Sequence, residues 1–186
     1  MSGTYGINEI FFSLQGEGFH VGTPAVFIRF SGCNLHCAFC DTQHEAHVPM
    51  TADQIVRTVS RYDAPLIVLT GGEPSLQSDQ PLIRALRRLG RVICIETNGT
   101  HPLPQGIDWI TCSPKAGTTP VLRRADELKV VYTGSDNVED WRQLISADHC
   151  FLQPCSGQNT DEVVRYILQH PHWRLSLQTH KLINIR

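Results

Sequence analysis

The chain has 186 residues, of which 41% are hydrophobic and 18% charged, and a formal net charge of −2. That size suits one domain over 1–186 with a sizeable core, and no apolar run approaches the ~20 residues a transmembrane helix needs. With no basic run longer than Arg123 and Arg124, the sequence carries no electrostatic footprint for nucleic acid, and a small-molecule partner is expected.

The first residues include Glu9 and lack a basic segment followed by an apolar stretch, so no targeting peptide is expected. A polar motif, Ser13-Leu14-Gln15-Gly16-Glu17-Gly18, precedes the first predicted strand, 24–30, which carries Arg29. Directly after that strand, Cys33, Cys37 and Cys40 form a C-x3-C-x2-C run with Phe39 before the last cysteine, then Asp41 and Thr42. Three thiolates from one short loop would leave one iron of a four-iron cube without a cysteine. With His36, His44 or His47 as a fourth ligand, the same loop would make a Cys3His zinc site, although zinc motifs usually pair two separated knuckles. Asp41 and Thr42 also fit a turn cap. Seven cysteines, three of them too close for a disulfide framework, point to a reducing, cytoplasmic compartment. Cys94, Cys112, Cys150 and Cys155 are scattered, and no thiol chemistry is assigned to them.

From there the pattern alternates. Thr51 caps a helix with Ile55, Val56 and Val59 on one face; a strand at 65–70 ends in Thr70 and leads to Gly71-Gly72-Glu73-Pro74, two residues that let backbone approach a ligand and then a carboxylate. Ser78 or Asp79 opens a second helix, with Leu82, Ile83, Leu86 and Leu89. A strand at 91–96 ends in Glu96 before Thr97-Asn98-Gly99, where Glu96 and Asn98 suit a ribose or Asn98-Gly99 is a plain turn. The strand at 107–112 precedes Ser113-Pro114-Lys115, a hydroxyl and a cation. The strand at 127–132 precedes a helix begun by Asn137, with Trp141, Leu144 and Ile145 on its apolar face. The strand at 149–153 runs into Gln153-Pro154-Cys155-Ser156, amide and backbone groups suited to an adenine edge. Thr160 opens a fourth helix with Val163, Val164 and Ile167, and a strand at 173–178 leads to Gln178-Thr179-His180-Lys181. Strand-helix-strand repeats imply a parallel sheet with right-handed crossovers. About six units fit an incomplete (β/α)6-like partial TIM barrel, with a flavodoxin-like sheet as the alternative. In either, the polar motifs fall at the C-terminal ends of strands.

The cysteine loop with Phe39 and the GGEP segment together resemble the radical S-adenosylmethionine (SAM) superfamily. The resemblance implies a 4Fe-4S cluster on Cys33, Cys37 and Cys40, whose open iron chelates the methionine part of SAM and whose electron releases a 5'-deoxyadenosyl radical. It further implies SAM contacts at Phe39, Gly72, Glu73, Glu96, Asn98, Ser113, Pro114, Lys115, Gln153, Pro154, Cys155 and Ser156. LQGEG and QTHK at the two ends extend the likeness over nearly the whole chain, to the subgroup that makes 7-carboxy-7-deazaguanine in the 7-deazapurine (queuosine) pathway. For that subgroup the implied substrate is 6-carboxy-5,6,7,8-tetrahydropterin, bound by Leu14, Gln15, Gly16, Glu17, Arg29, Thr70, Gln178, His180 and Arg186. Glu17 and Gln15 suit its guanidine-like edge, and Arg29 and His180 its carboxylate. The terminal carboxylate of Arg186 is implied to reach the substrate, with Leu182, Ile183 and Ile185 pinning the tail. Also implied are Mg2+ at Thr42, a flavodoxin- or ferredoxin-type reductant and a homodimer. The helix before residue 65 is short, and docking insertions for the reductant are not evident. A glycyl-radical activating enzyme, acting on a protein partner, would use the same cluster without needing LQGEG or QTHK; a zinc-stabilised binding module is the non-enzymatic alternative.

Overall fold

The computed structural model describes residues 3–40, 42–134 and 138–186. The expected roles of Asp41 and of Asn137 as a helix start lie outside the described residues. The strands are β1 (Thr4–Leu14), β2 (Pro24–Phe30), β3 (Val48–Thr51), β4 (Leu66–Gly71), β5 (Val92–Thr97), β6 (Trp109–Cys112), β7 (Arg124–Tyr132), β8 (Ser146–Pro154) and β9 (Arg174–Leu175). They join in one sheet of order β3-β1-β2-β4-β5-β6-β7-β8-β9. From β2 through β4 to β9 every pairing is parallel, whereas β1 lies antiparallel to both β2 and β3. The sheet is therefore an open partial barrel of seven parallel strands, one for each apolar run read from the sequence, with an antiparallel edge added.

Successive side chains on a strand face opposite ways, so each strand divides its residues between two environments. On β2, Val26, Ile28 and Phe30 join the outer core, while Ala25 and Phe27 join the inner one. On β7, Leu128, Val130 and Tyr132 lie under the helices, and Lys129 and Val131 turn inward. The outer face is covered by α1 (Ala52–Val59), α2 (Gln80–Arg87), α3 (Val138–Leu144) and α4 (Thr160–Gln169). Thr51 and Gln54 form a reciprocal capping box on α1, and Asp79, rather than Ser78, caps α2. α4 opens at Thr160 as expected; the side chain of Asn159, just before it, accepts from the Cys155 N–H at 2.8 Å and donates to the Tyr132 carbonyl at 2.8 Å, tying the loop after β8 to β7.

Two stretches depart from the expected elements. The strand expected over 173–178 is only β9; before it Trp173 is buried in the outer core, and after it the Ser176 hydroxyl donates to Gln153 Oε1 at 3.0 Å. The following QTHK segment is a short helix, α5 (Thr179–Leu182), and not a loop. Cys94 and Cys112 are core residues, and burial pushes both thiols up to about 12.

Candidate active site

The strand ends converge on one cavity of ≈ 300 Å³, a size suited to small-molecule ligands. Arg29 on β2 and Thr70 on β4 are register partners on its wall; Glu96 and Thr97 come from β5, Lys129 and Val131 from β7, and Gln153 and Pro154 from β8. Leu14 at the end of β1 and His180 on α5 join them, and loops supply the rest: Gln15, Gly16 and Glu17 after β1, the cysteine segment, Gly72 and Glu73, Asn98, Ser113 and Lys115, Cys155 and Ser156, then Gln178 and Arg186. Of the residues expected to contact ligands, Pro114 alone does not line the cavity. It is buried behind it, between Ser113 and Lys115, whose ammonium donates to the Ser113 hydroxyl at 2.8 Å.

The cysteine and GGEP loops are strapped together. Gly72 N–H donates to the Phe30 carbonyl at 3.1 Å, and Glu73 N–H to the Gly32 carbonyl at 2.9 Å. Gly71 has φ 134°, and a Cβ on Gly72 would stand 2.0 Å from the Gly32 oxygen, so both positions require glycine. Glu73 is 1% exposed; its carboxylate accepts from Thr97 Oγ1 at 2.6 Å, Ser75 N–H at 3.0 Å and Asn98 N–H at 2.7 Å. The expected SAM carboxylate is thus also a strut joining the GGEP and TNG loops. Asn98 is likewise engaged, donating to Asn34 Oδ1 at 3.0 Å in the cysteine loop.

Cys33, Cys37, Cys40 and Thr42 line one wall of the cavity. Burial raises the Cys33 thiol; against a bond from the Leu35 N–H, the charges of Glu73, Cys37 and Cys40 push it further up. Among the described residues no three His, Cys, Asp or Glu side chains gather as one metal ion would need. Three thiols from one loop suit a four-iron cube with one corner left open better than the four-ligand tetrahedron of a structural zinc ion. The donor set fits a 4Fe-4S cluster, and the side-chain-free Gly71-Gly72 edge beside it leaves room for SAM.

Elsewhere in the cavity lining, Lys129, 4% exposed, bonds Glu17 Oε2 at 2.6 Å and Glu96 Oε2 at 2.8 Å. Gln178 donates to Glu17 Oε1 at 2.9 Å and Gln15 to Glu96 Oε1 at 2.8 Å. Burial alone would raise the Glu17 carboxyl, but the charge and hydrogen bond of Lys129, then Gln178 and His180, outweigh it and hold it lowered. Gly16 packs so closely on His180 that a Cβ would stand 2.2 Å from Nδ1, which joins the two terminal motifs. The motif reading passed over Lys129; its signal is a single cation in the apolar run Leu128–Tyr132.

The tail is held differently from the expectation. Leu182, Ile183 and Ile185 are 71%, 58% and 37% exposed and do not pin it. Instead the Arg186 guanidinium pairs with Glu9, its carbonyl oxygen accepts from Ser13 Oγ, and it lies 5.3 Å from the Phe11 ring centroid. Glu9 also pairs with Arg29 at 2.9 Å, which lies 5.6 Å from the same ring. Polar contacts suffice here because a chain end leaves its apolar side chains no facing element to bury against.

A three-thiol loop at the C-terminal rim of an open parallel sheet defines the radical SAM class, and residues 27–129 match the family described as Radical SAM superfamily. A 7-carboxy-7-deazaguanine synthase of Bacteroides thetaiotaomicron is 62% identical over 180 residues, covering 97% of this chain and 98% of that one. One from Bradyrhizobium diazoefficiens is 41% identical, covering 98% and 100%. The crystal structure of QueE from Escherichia coli superposes with a TM-score of 0.82 at 31% identity, covering 95% of each chain. Within the radical SAM superfamily, the chain belongs to the 7-carboxy-7-deazaguanine synthase family. The likenesses favour this family over the glycyl-radical and zinc readings.

Proposed function

We propose that the cavity binds 6-carboxy-5,6,7,8-tetrahydropterin beside SAM and contracts its ring to 7-carboxy-7-deazaguanine with loss of ammonia. The observation that supports this most is the joining of the two terminal motifs, through Gly16 and His180 and through Glu17 and Gln178, in the cavity that the cysteine loop also lines. When bound, the cluster and SAM supply a carbon-centred radical that begins the reaction. The chain's own residues bind and orient. Glu17 offers its remaining lone pairs to the donor-rich ring edge, with Gln15 beside it. Arg29 has Nε engaged by Glu9 and two further nitrogens for the substrate carboxylate, with His180 and the Arg186 terminus closing that side. Gly72 and Glu73, Phe39, Glu96, Asn98, Ser113 and Lys115, and Gln153 to Ser156 hold SAM. Ser156 has φ 50°, a left-handed backbone in this binding loop. Thr42 supplies a hydroxyl to Mg2+, an ion that keeps several waters and takes few protein ligands.

The chain works as one domain. The seven free cysteines fit a reducing cytoplasm, where a flavodoxin- or ferredoxin-type protein serves as reductant and a homodimer is the working form. Among the described residues no helix is long and apolar enough to cross a membrane. Anaerobic incubation of the reconstituted protein with SAM, dithionite and the carboxytetrahydropterin tests the function. The deazaguanine product and ammonia are expected, whereas SAM cleavage without them, or a radical formed on a partner polypeptide, would overturn the assignment.

A further inference from the structure

Lys129 interrupts the apolar run of β7, and its aliphatic stem is buried while its ammonium meets carboxylates drawn from two distant segments. Glu17 comes from the loop after β1 and Glu96 from the end of β5; each uses one oxygen on Lys129 and the other on an amide, Gln178 or Gln15. All five side chains line the cavity. We propose that Lys129 is a positioning residue for the substrate, holding Glu17 ionised as the acceptor that a donor-rich heterocycle edge meets while it ties the Glu96 carboxylate beside it. The proposal rests on the reading of Glu17 as the acceptor for that edge.

Charge explains why a lysine is needed where an amide would also donate. Two carboxylates around one point repel, and a buried carboxylate without a cation takes up a proton. A protonated Glu17 has lost acceptor capacity and must release that proton before the ring edge binds. The other charged groups facing this cluster are Glu127, on the same face of β7, Lys115 from the loop after β6, and His180 from α5. Burial raises the Glu127 carboxyl, while Lys115 is held at Ser113. Lys129 is therefore the cation that bonds both carboxylates directly.

The test is anaerobic binding of the carboxytetrahydropterin to the reconstituted holoenzyme from pH 6.5 to 9, for wild type, Lys129→Met and the charge-compensated Lys129→Met/Glu96→Gln, with substrate-free SAM cleavage measured on each. Wild type is expected to bind with little pH dependence. Lys129→Met should weaken increasingly as pH falls, by about tenfold per pH unit below the raised carboxyl pKa, while still cleaving SAM. The double variant has lost one carboxylate along with the cation, and its weakening should begin at lower pH. Should Lys129→Met fail to fold, the double variant against Glu96→Gln alone carries the same comparison. A uniform loss at every pH that the double variant does not relieve, or no loss at all, would overturn the positioning role. Failure of wild type itself to bind the pterin would instead overturn the functional reading.

Discussion

At Glu17, one lowered carboxylate joins three segments of the chain, so its substitution separates binding from radical chemistry. Glu17→Gln removes a charged acceptor, and hydrogen bonds to charged groups contribute about 1.5–3 kcal/mol. We expect KM for the pterin to rise by roughly 10- to 100-fold with substrate-free SAM cleavage retained, measured by product and 5'-deoxyadenosine formation; an unchanged KM would remove Glu17 from the pterin site. Thr42→Ala should blunt stimulation by Mg2+ in the same assay, and an unaltered metal response would exclude that hydroxyl as a ligand. Gly72→Ala drives a methyl into the Gly32 carbonyl and should separate the GGEP and cysteine loops. Its iron content after reconstitution should fall below wild type.

Among the elements, β1 shows where the sequence was hard to read and why. Tyr5 and Ile7 face the outer core, but the register shifts between Ile7 and Glu9, and after that bulge Phe11 faces inward. A bulge inserts one residue and reverses every later side chain, so the segment shows no single period-two pattern and was legible only as a polar motif. The same bulge puts Glu9 opposite Arg29 and Phe11 opposite Phe27, making the seat for the tail. α3 makes a second clasp: Glu139 accepts from the Trp173 indole at 2.7 Å, from Arg142 at 3.2 Å and from His172 at 3.0 Å. Burial works to raise the Glu139 carboxyl, but those bonds outweigh it and bring it down to about 2. Glu139→Ala leaves the buried indole N–H unpaired, at a cost of about 1–3 kcal/mol, and should lower Tm by several degrees near neutral pH. A carboxylate held below its unfolded value stabilises above that value and loses the effect as pH falls toward the folded pKa. The Tm gap between wild type and Glu139→Ala should therefore narrow between about pH 4 and pH 2, and a constant gap would contradict the clasp.

Across the whole molecule, parallel strands bring residues far apart in sequence to one rim, because each strand of a parallel sheet ends on the same side. That rule made the rim readable from apolar runs such as 24–30 and 65–70 and from the polar residues following each. It did not reveal what the inner face itself contributes: Lys129 and Glu127 sit inside a strand, where charge usually marks solvent, and only the sheet's curvature turns them toward a cavity. Nor did it disclose the tail's anchor, since Glu9, Ser13 and Phe11 belong to the strand the bulge concealed. The account stands on three thiolates from one loop holding a four-iron cluster whose remaining iron faces SAM. Mössbauer spectra of the protein reconstituted with 57Fe, with and without SAM, test this most directly. SAM should shift the signal of one iron in four, whereas four irons that respond alike, or zinc in place of iron, would contradict it.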